Sequence, residues 1–226
     1  VAEHFGGIIR WMPEIYRVLD PRPEERRRDD WGRHAGPIHD FVERVGSANV
    51  VLYFGTGTRY KGYDYFLKLV HSDPDSAGLH VGAPLRERNR GAMVFDVDAV
   101  RQDLLKANRL YETREFVESE DLVELAFRSV DRFVSTHRLT LSSGTMLQAL
   151  ECGAPVLTPG TGLVGYRTTT HGLGATYRYL NNNDLCTQWR AFRRQDIAAY
   201  QHAIPAFMAR FSKPTVRDFF LQVLTE

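Results

Sequence analysis

The sequence predicts an α/β protein, a parallel sheet with helices on both faces, and three observations point there. Short runs of strand-forming residues alternate with helical stretches from residue 38 onward, a spacing that calls for crossover connections and parallel strands. Small-residue loops follow two of the strand runs, at Gly55-Thr-Gly57 and Ser142-Ser-Gly144, where sheets of this kind bind ligands. The 226 residues suffice for one sizeable core and show no internal repeat or low-complexity segment.

Taken in order, residues 20–37 are dense in proline and charge and are expected as a loop. Within it Arg26, Arg27 and Arg28 are cancelled by Glu24, Glu25, Asp29 and Asp30. A helix is expected at 38–45, a strand at 49–54 and a helix at 62–71. Asp73-Pro-Asp75 is a turn and a strand follows at 79–82. Asp96-Val-Asp98 has the spacing of a paired-carboxylate metal motif, but its place before a helix at 97–106 makes capping the simpler role. A strand at 108–112, a helix at 119–128 and a strand at 131–135 come next. The helix at 143–152 precedes strands at 155–158 and 175–178, and helices at 183–194, 195–210 and 214–225 close the chain. Arg190, Arg193 and Arg194 are expected on a solvated helix face.

Two segments carry chemistry. Ser143-Gly144-Thr145 opens an apolar helix through Leu147 and Leu150 that closes at Gly153 before Pro155-Val-Leu. Such a first turn offers free backbone N–H groups, a positive dipole end and hydroxyls, which suit a phosphate. The second segment is Val50 to Phe54 followed by Gly55-Thr-Gly-Thr-Arg-Tyr-Lys61-Gly62: strand, flexible loop, helix, with a cation at the loop's end. It is neither a Walker A loop nor a Gly-x-Gly-x-x-Gly fingerprint. Only four lysines stand among 29 basic residues, so Lys61 is an unusual choice. His137 and Arg138 follow a strand end; Arg138 suits a diphosphate or a sugar carboxylate, whereas His137 is expected to be solvated.

In this order and spacing the segments resemble the nucleotide-sugar-binding, C-terminal half of GT-B glycosyltransferases of the family-four type, over about residues 47–190. Phe54-Gly55 through Tyr60-Lys61-Gly62 is similar to the family's first strand and phosphate loop, and Leu79-His-Val-Gly-Ala-Pro84 to its second strand. Phe116-Val117 with Ser119-Glu-Asp-Leu122 resembles the base-holding segment, and Asp131 to Arg138 the strand before the donor site. Ser143-Gly144 through Pro155-Val156 resembles the phosphate helix and the strand after it, and His171-Gly172-Leu-Gly174 the turn before the last strand. The chain departs from the family where two glutamates separated by seven residues are usual: Thr140 and Gln148 stand there. Gln148 keeps hydrogen-bonding capacity for a ribose hydroxyl, and Thr140 supplies no carboxylate near the sugar. Thr56 replaces an arginine common after the first-strand glycine, with Arg59 further along the loop.

The resemblance implies a Rossmann-like sheet forming one half of a GT-B fold, with residues 1–36 as interdomain crossover and charged linker and 37–226 as the nucleotide-sugar domain. It implies a hexosyltransferase taking a UDP- or GDP-linked sugar, retaining anomeric configuration, and serving glycan biosynthesis. The acceptor (glycan, lipid or small molecule) and the general base would belong to an acceptor domain preceding residue 1. Donor contacts would come from Gly55, Thr56, Gly57, Arg59, Lys61, Phe116, Val117, Arg138, Thr140, Ser143, Gly144, Thr145 and Gln148. Lys61 and Arg138 would stabilise the leaving diphosphate, without metal or cofactor. A nucleotide-sugar 2-epimerase of the same fold and a non-catalytic nucleotide-sugar or interaction module remain as alternatives.

Composition narrows the field further. A net charge of +1 argues against nucleic acid as an electrostatic partner. No apolar run approaches the length of a membrane span and no signal peptide is visible. Cys152 and Cys186 are too few for a disulfide framework, so a reducing, cytoplasmic setting is expected, with any membrane association residing outside this sequence. Cys152 reads as a small core filler, and the eight histidines show no paired spacing for zinc.

Overall fold

The computed structural model describes residues 29–85, 96–138 and 143–211. Among these residues six strands form two parallel three-stranded sheets. The first joins β1 (Val50–Phe54), β2 (Ala77–Val81) and β3 (Leu110–Glu112); the second joins β4 (Phe133–Val134), β5 (Val156–Pro159) and β6 (Gly174–Tyr177). Val50 pairs with Ala77 and Gly78 with Leu110 in one sheet, while Val156 pairs with both Phe133 and Gly174 in the other. β1 and β4 are neighbours, with no ladder bond between them among the described residues. The order across the molecule is therefore β3-β2-β1-β4-β5-β6.

Among the described residues eight α-helices cover this layer: α1 (Asp29–Val45), α2 (Tyr63–Ser72), α3 (Val97–Lys106), α4 (Glu120–Arg128), α5 (Gly144–Glu151), α6 (Gly162–Thr170), α7 (Asn182–Phe192) and α8 (Ala203–Met208). β1, β2 and β5 read as almost unbroken apolar runs because parallel strands bury both faces. Successive side chains feed different cores. Val50, Leu52, Phe133 and Val156 join Ile38, Phe41, Phe127, Leu147 and Phe207 on one face. Val51, Tyr53, Val134 and Leu157 join Phe66, Leu104, Trp189 and Phe192 on the other.

Helix starts follow the capping rule. Asp96 Oδ1 accepts the Ala99 N–H at 3.0 Å, and Ser119 and Ser143 accept from Leu122 and Met146, each at 3.3 Å. Each such cap stabilises its helix by about 1 kcal/mol. The Asp73–Ser76 turn anchors α7: Ser76 donates to Asp73 Oδ2 at 2.6 Å and accepts the Trp189 indole N–H at 2.8 Å. Burial pushes the Cys152 thiol up to about 11, as befits an unreactive, partly buried filler.

Four expectations need correction. The helix expected from Ile38 begins at Asp29, inside the proposed loop and across Pro37. Its start is fixed by a distant contact, because the buried Asp30 carboxylate accepts the N–H groups of Glu118 and Ser119 at 2.8 and 3.0 Å. No helix was expected at Gly162–Thr170. Residues 195–210 break into the 3-10 turn Ile197–Tyr200, α8 and the turn Ala209–Phe211. Arg193 is not solvated: its side chain is 9% exposed, ion-paired with Asp73 at 3.4 Å and Asp75 at 2.7 Å, and donates to Asn49. The expected crossover, the Arg26–Arg28 cluster and the 214–225 helix lie outside the described residues.

Candidate functional site

The strand order changes sense between β1 and β4, and in parallel sheets a ligand site is expected outside the carboxyl ends of the two strands at such a point. The loop 55–62 leaves one strand there and residues 135–138, leading toward α5, leave the other. The first loop is not flexible, as its composition suggested, but pinned along its length. Gly55 and Gly57 donate to Val81 and Ala83 carbonyls at 2.8 and 3.0 Å. Tyr53 Oη donates to the Thr56 carbonyl at 3.1 Å and accepts the Thr58 N–H at 3.3 Å. The Lys61 N–H reaches Thr58 Oγ1 at 3.1 Å, and Gly62 donates to the Arg59 carbonyl at 3.0 Å.

The two loops are stitched together. Thr136 Oγ1 donates to the Lys61 carbonyl at 2.9 Å, and the Arg138 N–H donates to the Tyr60 carbonyl at 3.0 Å. Gly62 makes the close approach feasible: its φ is +70°, and an added Cβ would overlap the Thr136 carbonyl oxygen.

Lys61 carries the electrostatics. Its ammonium lies against Gly55, so close that a Cβ on Gly55 would sit 2.5 Å from Nζ. Burial lowers its pKa, and among the described residues no carboxylate pairs with it. A desolvated cation without a counter-ion is costly and favours an anion beside it. The helix that follows β4 in the chain, α5, begins at Ser143, whose Oγ caps Met146 and lies 2.9 Å from Thr145 Oγ1. Gly144 is exposed, and a Cβ there would meet nothing within 4 Å. Its N–H and that of Thr145 therefore remain available at the positive helix end.

The remaining candidates distribute as follows. Phe116 is 72% exposed beside buried Val117. Thr56 and Gln148 are half-buried, Gly57 is buried and Arg59 is exposed. The Arg138 guanidinium is already engaged, hydrogen-bonded to the buried Asp64 carboxylate and stacked 4.5 Å over the Tyr65 ring, while its Nε lacks a partner. Thr140 lies outside the described residues.

Two groups escaped the sequence reading. His137, expected in solvent, is half-buried beside Tyr60, and that burial followed by the Lys61 charge lowers its pKa to about 4. Behind the loop, His80 places Nε2 3.0 Å from the Gly55 carbonyl oxygen and Nδ1 3.3 Å from Glu112 Oε1. Tyr63 donates to the same carboxylate at 2.7 Å, and Arg101 forms a two-pronged ion pair with it. The only sequence signal was a histidine inside an otherwise apolar strand.

Burial raises the Glu112 pKa, but hydrogen bonds from His80, Arg101 and Tyr63 outweigh it and hold the group at about 2. A carboxyl depressed from 4.5 stabilises the fold fully above that pH and loses its contribution as pH falls toward about 2. Melting temperatures measured down through this window should fall, and Glu112→Gln should flatten that acid dependence. An identical slope in the variant would mean that other carboxylates set it.

No protein-family model matches the sequence, and no curated protein matches it. Solved structures do. HepE of Anabaena, determined with UDP and glucose, superposes with a TM-score of 0.63 at 17% identity, over 84% of this chain and 52% of that one. Sucrose-phosphate synthase of Thermosynechococcus elongatus gives 0.60 at 16%, over 82% and 48%. The C-terminal domain of a group 1 glycosyl transferase, LpcC of Francisella tularensis, gives 0.56 at 14%, over 80% of this chain and 89% of the domain. This is the fold of a GT-B C-terminal domain. The chain spans about half the length of the HepE and sucrose-phosphate synthase structures. At these identities the likeness establishes the fold. No helix among the described residues is long and apolar enough to cross a membrane.

Proposed function

We propose that this chain is the donor-binding half of a glycosyltransferase, holding a UDP- or GDP-linked hexose and delivering the sugar to an acceptor glycan, lipid or small molecule. The observation that carries the reading is the half-buried, carboxylate-free ammonium of Lys61 on the loop after β1, where the strand order changes sense. In this reading the diphosphate lies between that ammonium and the first turn of α5, where the N–H groups of Gly144 and Thr145 point outward. Exposed Phe116 offers a face to the base, with Val117 beside it, and Gln148 a partner for the ribose. Gly55 and Gly57, bonded to the Val81 and Ala83 carbonyls, hold the loop that carries Lys61, and exposed Arg59 adds positive charge.

Cleavage of the sugar–phosphate bond builds negative charge on the departing diphosphate. Fixed donors aimed at that charge lower the barrier, and losing one costs about 3 kcal/mol. Retention and a hexose donor rest on the resemblance set out above. A non-catalytic nucleotide-sugar module is the second reading, favoured by Gln148 in place of the family's glutamate.

Calorimetry with UDP, GDP and their hexose conjugates tests the binding. Saturable heat with one nucleotide series is the expected result; none with either would overturn the reading. Diphosphate release by the full-length protein in the presence of acceptor separates transfer from a silent module.

A further inference from the structure

His137 is held between the two hydrogen bonds that join the loops, with Thr136 on Lys61 and Arg138 on Tyr60. Its ring meets Tyr60 edge-on, centroids 6.3 Å apart at 80°, and Nδ1 lies 3.3 Å from Ser135 Oγ. The groups around it are basic or neutral. Lys61 and Tyr60 come from the loop after β1. Arg138 follows in sequence but is answered by Asp64 of α2. Tyr177 of β6 donates to the Ser135 carbonyl and Tyr179 to that of Arg138. Among the described residues the one carboxylate nearby, Asp64, is thus spent on Arg138.

Two basic groups, Lys61 and His137, therefore lie on hydrogen-bonded segments, close enough for the charge of one to act on the other, and neither has a carboxylate partner among the described residues. Burial and the Lys61 charge keep the imidazole neutral in the empty site. An arriving diphosphate reverses that balance, because a close negative charge favours the protonated ring.

We propose that His137 is a second ligand of the donor diphosphate, binding it by taking up a proton from solvent. This rests on the donor-site reading above and adds a residue and a regulation to it. Between the imidazole pKa of the empty site and that of the occupied one, binding consumes at most about one proton, and affinity rises as pH falls.

UDP-glucose and GDP-glucose are the probes, since neither carries a phosphate monoester, whose own second proton leaves near about pH 6. Calorimetry at one pH in PIPES and in Tris counts the protons exchanged, and repeats at neighbouring pH values give the slope. Wild type should take up protons and bind several-fold, up to about tenfold, more tightly per unit fall in pH. His137→Asn should still bind, without proton uptake and with a flat pH profile. The His137 ring proton signal, followed by NMR in wild type, should titrate at higher pH once ligand is added. Binding without proton uptake, or uptake that persists in His137→Asn, overturns the inference alone. No binding by wild type removes the donor-site reading and this inference together.

Discussion

Lys61→Ala weakens UDP or GDP binding at least about tenfold, a loss of about 1.4 kcal/mol. The figure is a lower bound, because a hydrogen bond to a charged group is worth about 1.5–3 kcal/mol. The same substitution should leave the empty protein as stable as before, or slightly more so. The ammonium is partly desolvated and lacks a carboxylate partner, so its removal relieves a cost rather than breaking a contact. Lys61→Arg should recover only part of the affinity, since a planar guanidinium fork is bulkier and sets its donors differently from an ammonium packed against Gly55. Titration calorimetry and melting curves on the same samples check both halves. Unchanged affinity would remove the phosphate role of Lys61, and a large drop in melting temperature would recast it as a structural residue.

Gly62→Ala has the largest expected effect on stability. A non-glycine residue at φ +70° costs about 1–2 kcal/mol in backbone strain. The new Cβ also overlaps the Thr136 carbonyl, and relieving an overpacked contact costs about 1–3 kcal/mol more. A combined loss of about 3 kcal/mol corresponds to a fall of about 6–12 °C for a chain of this size. Because the displaced carbonyl belongs to the segment that also holds Lys61 through Thr136 Oγ1, nucleotide affinity should fall too. Thermal unfolding followed by circular dichroism measures the first effect. A shift of less than about 2 °C would mean that the two loops lie further apart than described.

The layered architecture was legible because parallel strands buried on both faces show themselves as unbroken apolar runs, as in Val50–Phe54 and Val156–Pro159. The cap at Asp96 was legible because capping is local chemistry. What escaped depends on distant partners. In the helix Gly162–Thr170 six of nine positions are glycine, threonine or valine, none of them strong helix formers. It is held by packing: a Cβ on Gly165 would stand 2.6 Å from the Pro159 carbonyl, and Thr168 Oγ1 both bonds Val164 and meets Thr158. Asp30 reads as linker charge until its contact with the start of α4 is known. In the candidate site, Lys61 stood out by rarity and position. The engagement of Arg138 by Asp64 and the burial of His137 did not, because sequence gives no distance between residues 64 and 138 or 61 and 137.

The alternation along β1 has a last consequence. Adjacent positions serve opposite interiors, so sliding that strand by a single place would send Val51 and Tyr53 where Val50 and Leu52 belong. The address of Lys61, a few residues downstream, is thereby written into the packing of both halves of the molecule. A chain whose β1 had slipped by one step would lose its packing on both faces, not merely the position of its cation.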